Sequence, residues 1–199
     1  MTEVLERGDI GFFFRPAVQP ADAVETRLGV QSFFVVLSTA SGVHRRVRIG
    51  RKRMPAPTGE RFWARVERVG SLQRVLGDQL EAEQYTTKTR GERYQPGARH
   101  IAQGCYAFVR HDDHMHLVYR VEQVEQDAPE EVRVPDAMSL LVLFERGPRG
   151  PRGRAIWSTE GGPPLLDDEG FELVLVGVHD EPERELGIDV LGHPMDHPI

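Results

Sequence analysis

The sequence predicts a mainly β protein of the α+β type: a barrel-like mixed or antiparallel sheet, one or two short helices and a β-rich C-terminal part. Three observations predict it. Roughly eight short runs either alternate apolar and polar residues or are apolar throughout, and most are bounded by Gly, Pro, Asp or Ser. Only one segment carries its apolar residues at helical spacing. The strand-helix-strand alternation of a doubly wound fold is missing, as is any repeat of roughly 20 to 50 residues, which disfavours solenoids and propellers.

The first strand follows from "RGDIGFFFRP". A turn at Gly8-Asp9 leads into a run in which Ile10, Phe12 and Phe14 share one face, and Pro16 stops it. Ser32 to Ser38 is apolar on both faces, as a strand covered on two sides would be. After a turn at Ser41-Gly42, Val43, Val47 and Ile49 alternate with His44, Arg46 and Arg48, so a second strand pairs back as a hairpin until Pro55 and Pro57 break the pattern. Arg61 to Val69 has period 2 again, with Phe62, Ala64 and Val66 on one face and Arg61, Trp63 and Arg65 on the other. Ser71 caps a short helix whose Leu72, Val75, Leu76 and Leu80 fall at helical spacing, with Gly77 a cost inside it. A polar connection from Tyr85 to His100 reaches a hairpin, "GCYAFV" and "HLVYRV" around the turn "RHDDHM". Glu122 to Asp136 is rich in Pro and acids and reads as a linker. Beyond it, "SLLVLF", "RAIWS" and "FELVLVGV" supply three more strands, and "GHPMDHPI" a loose tail.

With 199 residues and 39% hydrophobic content, the chain can build the core of one generous domain or two small ones. Its single cysteine excludes an internal disulfide, no run approaches the roughly 18 apolar residues of a membrane span, and Met1 to Asp9 lacks the apolar core of a secretory signal. A soluble cytoplasmic protein is the expectation. The net charge of −6 hides a split: the first 110 residues carry +7 and the remaining 89 carry −13. The expected organisation is therefore a basic β-barrel-like domain, 1–126, and an acidic β-rich subdomain, 127–199, packed on the first as one unit. Such polarity points to a charged partner rather than to a fold.

Six blocks in order, "RGDIGFFFRP", "IGRKRMP", "RFWARV", "TKTRGERYQP", "HDDHMHLVY" and "LLDDEGFELVLVGV", resemble a family of uncharacterised bacterial and archaeal proteins over nearly the whole chain. The resemblance implies one integral unit and brings no activity or catalytic residue with it. The Gly-Asp turn leading into an aromatic strand also resembles the start of PUA-like and ASCH-type β-barrels, which bind RNA or modified bases.

The basic cluster carries the functional expectation. His44 to Arg53 holds Arg45, Arg46, Arg48, Arg51, Lys52 and Arg53 with no acid among them, and on a strand His44, Arg46 and Arg48 project from one face. Such a row neutralises phosphates; the plainer reading is a solvated strand face. Trp63 between Arg61 and Arg65 has the composition of a base-stacking platform, unless that face is covered and Trp63 is core. Lys88 and Arg90, with Arg93 and Arg99, add cations to the polar connection, and Arg146 to Arg154 carries four arginines spaced by Gly and Pro. Neither a Walker A loop nor a dinucleotide-binding fingerprint occurs.

The other constellation is "HDDHMH". His111, His114 and His116 have the chemistry of a divalent-metal site, with His100 and Cys105 able to complete it, although no catalogued metal spacing is matched and Asp112 and Asp113 are ordinary turn residues. Cys105 as a nucleophile would need a depressed pKa, and a cysteine in an apolar strand is usually core. Asp167, Asp168 and Glu169 read as a turn before Gly170, and the acidic part could instead screen the basic face within the chain. The sequence thus favours a binding module for RNA, DNA or a phosphate-bearing small molecule, with no cofactor. A metal-dependent hydrolase built on the histidines comes second, and a charge-driven scaffold third.

Overall fold

The computed structural model describes residues 2–20, 29–89, 91–125, 128–146 and 156–186. Eight antiparallel strands close into a barrel, accompanied by two short α-helices, as the pattern of short β runs predicts. In chain order the strands are β1 (Thr2–Pro16), β2 (Gln19–Pro20), β3 (Val30–Thr39), β4 (His44–Ile49), β5 (Arg61–Gly70), β6 (Glu83–Thr87), β7 (Gly91–Gln95), β8 (Arg99–His111), β9 (His114–Val124), β10 (Ala137–Glu145), β11 (Trp157–Ser158) and β12 (Glu172–His179). The helices are α1 (Leu72–Leu80) and α2 (Pro182–Leu186). Around the barrel the order is β1, β3, β4, β5, β12, β10, β9, β8 and back to β1, so β10 and β12 close the sheet begun by the N-terminal strands. β11 extends β10, and β2, β7 and β6 form a separate three-stranded ribbon. Among the described residues, no helix is long and apolar enough to cross a membrane.

Period-2 alternation fills the lumen. Ile10, Phe12, Phe14, Phe33, Val35, Phe62, Phe108, Tyr119 and Phe144 all point inward and are nearly or fully buried, so the interior is a packed core rather than a channel. β3 is buried on both faces, as its continuous apolar run requires: Phe34 and Val36 point outward and, with Phe13, lie under Val75 and Leu76 of α1. The N-cap is the predicted one, Ser71 Oγ accepting from Arg74 N–H at 3.3 Å.

Three local readings are corrected. Gly8 and Asp9 are not a turn but lie inside β1, paired with β3 and β8; a Cβ on Gly8 would sit 2.0 Å from the Ser38 carbonyl oxygen, so the glycine serves close packing of backbones. The likeness to the start of PUA-like barrels was drawn on that turn. Most of the polar connection from Tyr85 to His100 is strand: β6 and β7 pair antiparallel, with Gly91 at φ +66°, and Arg99 and His100 begin β8. The stretch read as a linker is packed: Glu130–Val132 forms a 3₁₀ turn that buries Val132 completely in the barrel core. Most of the arginine-glycine-proline loop and the C-terminal tail lie outside the described residues.

The registers define two ends. At the hairpin end lie the starts of β1, β4 and β9 and the ends of β3, β5 and β8, including the His111-to-His114 turn. At the opposite end β1 and β4 finish and β3 and β5 begin.

Candidate functional site

The cationic row predicted on β4 does not exist as an open face. Arg46 is 3% exposed because α1 lies over it. Its Nη1 donates to Asp78 Oδ1 at 2.6 Å and to the Val75 carbonyl at 2.7 Å, its Nη2 donates to Asp78 Oδ2 at 3.2 Å, and Glu67 sits 3.1 Å from Nε. Arg46 therefore fastens the helix to the sheet. Arg45, also 3% exposed, closes the hairpin end from within: it donates to both Glu6 carboxylate oxygens and to Asp167, and the Tyr106 hydroxyl donates to Glu6 at 2.7 Å. Burial lowers the Arg45 pKa, but the Glu6 and Asp167 bonds outweigh it and leave the group above its ordinary value.

The remaining cations of the cluster converge at the opposite end. Residues 50–53 leave β4 and residues 60–62 open β5, and together with the start of β3 and the Glu130–Val132 turn they enclose a cleft of about 690 Å³. Arg48, Arg51, Lys52, Arg53 and Arg61 line it, with Gln31, Ser32 and only two carboxylates, Glu60 and Glu131. Arg53 makes two bonds to Glu60, at 2.6 and 2.7 Å, and these hold Glu60 below its ordinary pKa. Arg48 pairs with Glu67, and Lys52 is 3.6 Å from Glu131. Among the described residues, no carboxylate lies within ion-pair distance of Arg51 or Arg61. A site of this volume with an excess of cations suits an anion the size of a nucleotide.

Of the other predicted residues, Trp63 points outward as expected and is 39% exposed. It borders the cleft instead of lining it, its carbonyl accepting from Gly50 N–H at 2.7 Å. Arg65 lines a separate recess with Arg68, Glu67 and Glu169. Lys88 sits between β6 and β7 at the tip of the ribbon, and Arg90 lies outside the described residues. The aromatic that sequence reasoning missed is Tyr85, 43% exposed, in a recess that shares Gln31, Ser32 and Arg48 with the cleft and so extends it toward the ribbon. The available signal was a pair of tyrosines, Tyr85 and Tyr94, flanking a Thr-, Lys- and Gly-containing turn, which is a hairpin composition.

The C-terminal acids screen part of the basic half. Asp167 pairs with Arg45, Glu169 with Arg74 and more loosely with Arg68, and Glu131 with Lys52. The cleft keeps its cationic excess all the same.

At the hairpin end, His111, His114 and His116 come together, one ligating atom of each lying within 4.8 Å of the others. His100 and Cys105 do not join them: both lie on β8, and Cys105 is six residues from His111, roughly 20 Å along a strand. Cys105 is buried at 8% exposure and burial pushes its thiol up to about 11, so it is a core residue and no nucleophile at neutral pH.

Fold and site together define a closed eight-stranded antiparallel barrel with a cationic cleft at one end. Comparisons with family models, curated proteins and solved structures find no match. The functional reading accordingly rests on the chemistry of the site.

Proposed function

We propose that the protein is a binding module that takes single-stranded nucleic acid, or a nucleotide-like ligand bearing phosphate, in the cleft at the end of β4. The observation that carries the reading is the convergence of Arg48, Arg51, Lys52, Arg53 and Arg61 on one cavity against two carboxylates. Among the described residues, two of those arginines, Arg51 and Arg61, have no carboxylate within ion-pair distance, so a phosphate meets donors that need not first break such a bond. Tyr85 in the adjoining recess and Trp63 beside Gly50 are exposed aromatic faces on which bases can stack. The scaffold reading has less behind it, because Arg45, Arg74 and Lys52 already meet C-terminal acids within the same chain.

Fluorescence anisotropy of a labelled single-stranded oligonucleotide across a salt series tests the proposal. Binding should weaken as salt rises, with a log–log slope of about −0.7 per phosphate neutralised. The Arg51→Ala/Arg61→Ala pair should flatten that slope by about 1 to 2 without moving the melting point appreciably. No binding at about 50 mM salt, or an unchanged slope in the double variant, overturns the reading.

A further inference from the structure

We infer that His111, His114 and His116 bind a divalent transition metal, zinc foremost, at the tip of the β8–β9 hairpin. The turn is as short as a hairpin allows. His111 and His114 are a cross-strand pair with only Asp112 and Asp113 between them, and Asp112 takes the left-handed conformation at φ 54° that such a turn demands. Alternation then places His114 and His116 on the same outward face of β9, since Met115 and Leu117 point into the core. Three imidazoles from one hairpin thus share one focus, with donor atoms within 4.8 Å of one another.

Two of the three rings are also hydrogen-bonded by partners of the kind that orient metal-bound histidines, and the third has a carboxylate nearby. His116, 3% exposed, has Nδ1 2.8 Å from the Ser139 hydroxyl on β10, which assigns Nε2 as its ligating nitrogen. His114 Nδ1 lies 3.0 Å from Asp113 Oδ1, and His111 Nε2 is 3.7 Å from Asp112 Oδ2. Rings packed only for contact need no common focus. The Asp113 carboxylate beside the imidazoles also adds negative charge near a bound dication.

The donor set selects the metal. Imidazole nitrogen suits zinc, copper, nickel and cobalt, whereas magnesium and calcium demand oxygen. Tetrahedral zinc, with zinc–nitrogen bonds near 2.0 Å, would bring the three nitrogens to about 3.3 Å apart, an approach of up to about 1.5 Å that side-chain rotation supplies. His111 and His114 keep about a third of their side-chain surface exposed, 35% and 30%, so a fourth position opens to solvent. The site is at the opposite end of the barrel from the cationic cleft, so it does not rest on the proposed binding function.

Cobalt(II) titration of the full-length chain, prepared without a histidine tag and stripped with a chelator, tests the site. The expected result is one cobalt per chain with the visible bands of tetrahedral coordination, displaced by zinc, and a melting point raised by saturating zinc. His111→Ala and His114→Ala alter partly exposed side chains that the fold does not need, and each should weaken uptake by more than about 100-fold. Asp113→Asn should cost about 10- to 100-fold, because it loosens the orientation of His114 without removing a ligand. Absence of the bands in the parent overturns the inference. So does equal uptake by the His111→Ala/His114→Ala pair, which would put the metal on other histidines. Oligonucleotide binding measured alongside separates the two sites: its loss with cobalt uptake intact counts against the cleft alone.

Discussion

Arginine plays opposite parts at the two ends of β4. At the hairpin end, Arg45 and Arg46 are each 3% exposed and between them engage Glu6, Asp167, Asp78 and Glu67. Past the other end, Arg51, Lys52 and Arg53 join Arg48 and Arg61 around a cavity whose described lining carries two carboxylates, Glu60 and Glu131. Residue type does not make the difference. The neutralising acids of the first group come from far along the chain, Glu6 at 39 residues from Arg45 and Asp167 at 122, and they arrive because β1 and the turn before β12 pass that end of the barrel. A run of positive charge stays in excess only where the fold brings it fewer carboxylates than cations.

The sharpest way to break the comparison is to remove one cation from each end. Arg46→Met should cost about 3 kcal/mol, the low end for breaking a buried pair, because Asp78 is half-exposed and can rehydrate while the Val75 carbonyl loses its donor and Glu67 an adjacent positive charge. Arg51→Met should stay within about 0.5 kcal/mol, as substitutions on an open surface do. Denaturant midpoints of the two variants decide it, and equal losses would erase the distinction between a structural and a ligand-facing arginine. A smaller effect locates the track of a bound strand. Tyr85→Ala should weaken oligonucleotide binding by about 1 to 3 kcal/mol, the worth of one stacked base, and Trp63→Ala by less, since Trp63 lies outside the cleft. A larger loss at Trp63 would move the track onto the outer face of β5, between Arg61 and Arg65.

What the sequence made legible follows from how local each cause is. The strands read correctly because Phe62, Ala64 and Val66 face the core by simple alternation, and because the unbroken run around Phe33 to Leu37 needs cover on both faces. The Ser71 cap is likewise local, reaching only to Arg74 three positions on. Gly8-Asp9 misled because glycine has two uses, turn and close approach, and only the position of the Ser38 carbonyl on a neighbouring strand separates them. Arg46 misled for the same reason: alternation does place it on the outer face, but nothing near it in sequence reveals that α1 will cover that face and bring Asp78 to it. The histidine cluster was visible because its three members lie within six residues, whereas Tyr85 reaches the cleft through ribbon pairing that a polar sequence does not announce.

Acid should separate the two ends more gently, and in opposite senses for stability and binding. The Arg46 bond holds Asp78 below its ordinary 3.8, the Arg53 bond holds Glu60 below its ordinary 4.5, and the Val69 N–H holds Glu169 below the same value. Each carboxylate therefore takes up a proton more readily in the unfolded chain than in the folded one. The stability they contribute is complete above about pH 4.5 and declines as pH falls through that value and the lower folded ones. In the cleft the same protonation has a second effect: a neutral Glu60 releases the Arg53 guanidinium, and the net cationic charge facing a ligand rises. The melting point should fall as the pH drops below about 4.5 while affinity for a sulfated oligosaccharide, which stays ionised there, increases. Glu60→Gln should reproduce the gain in affinity at neutral pH. A melting point that stays level through the acid range would mean the three carboxylates are not held down by their partners, and a Glu60→Gln variant that binds no better than the parent would mean that Arg53 does not face the ligand.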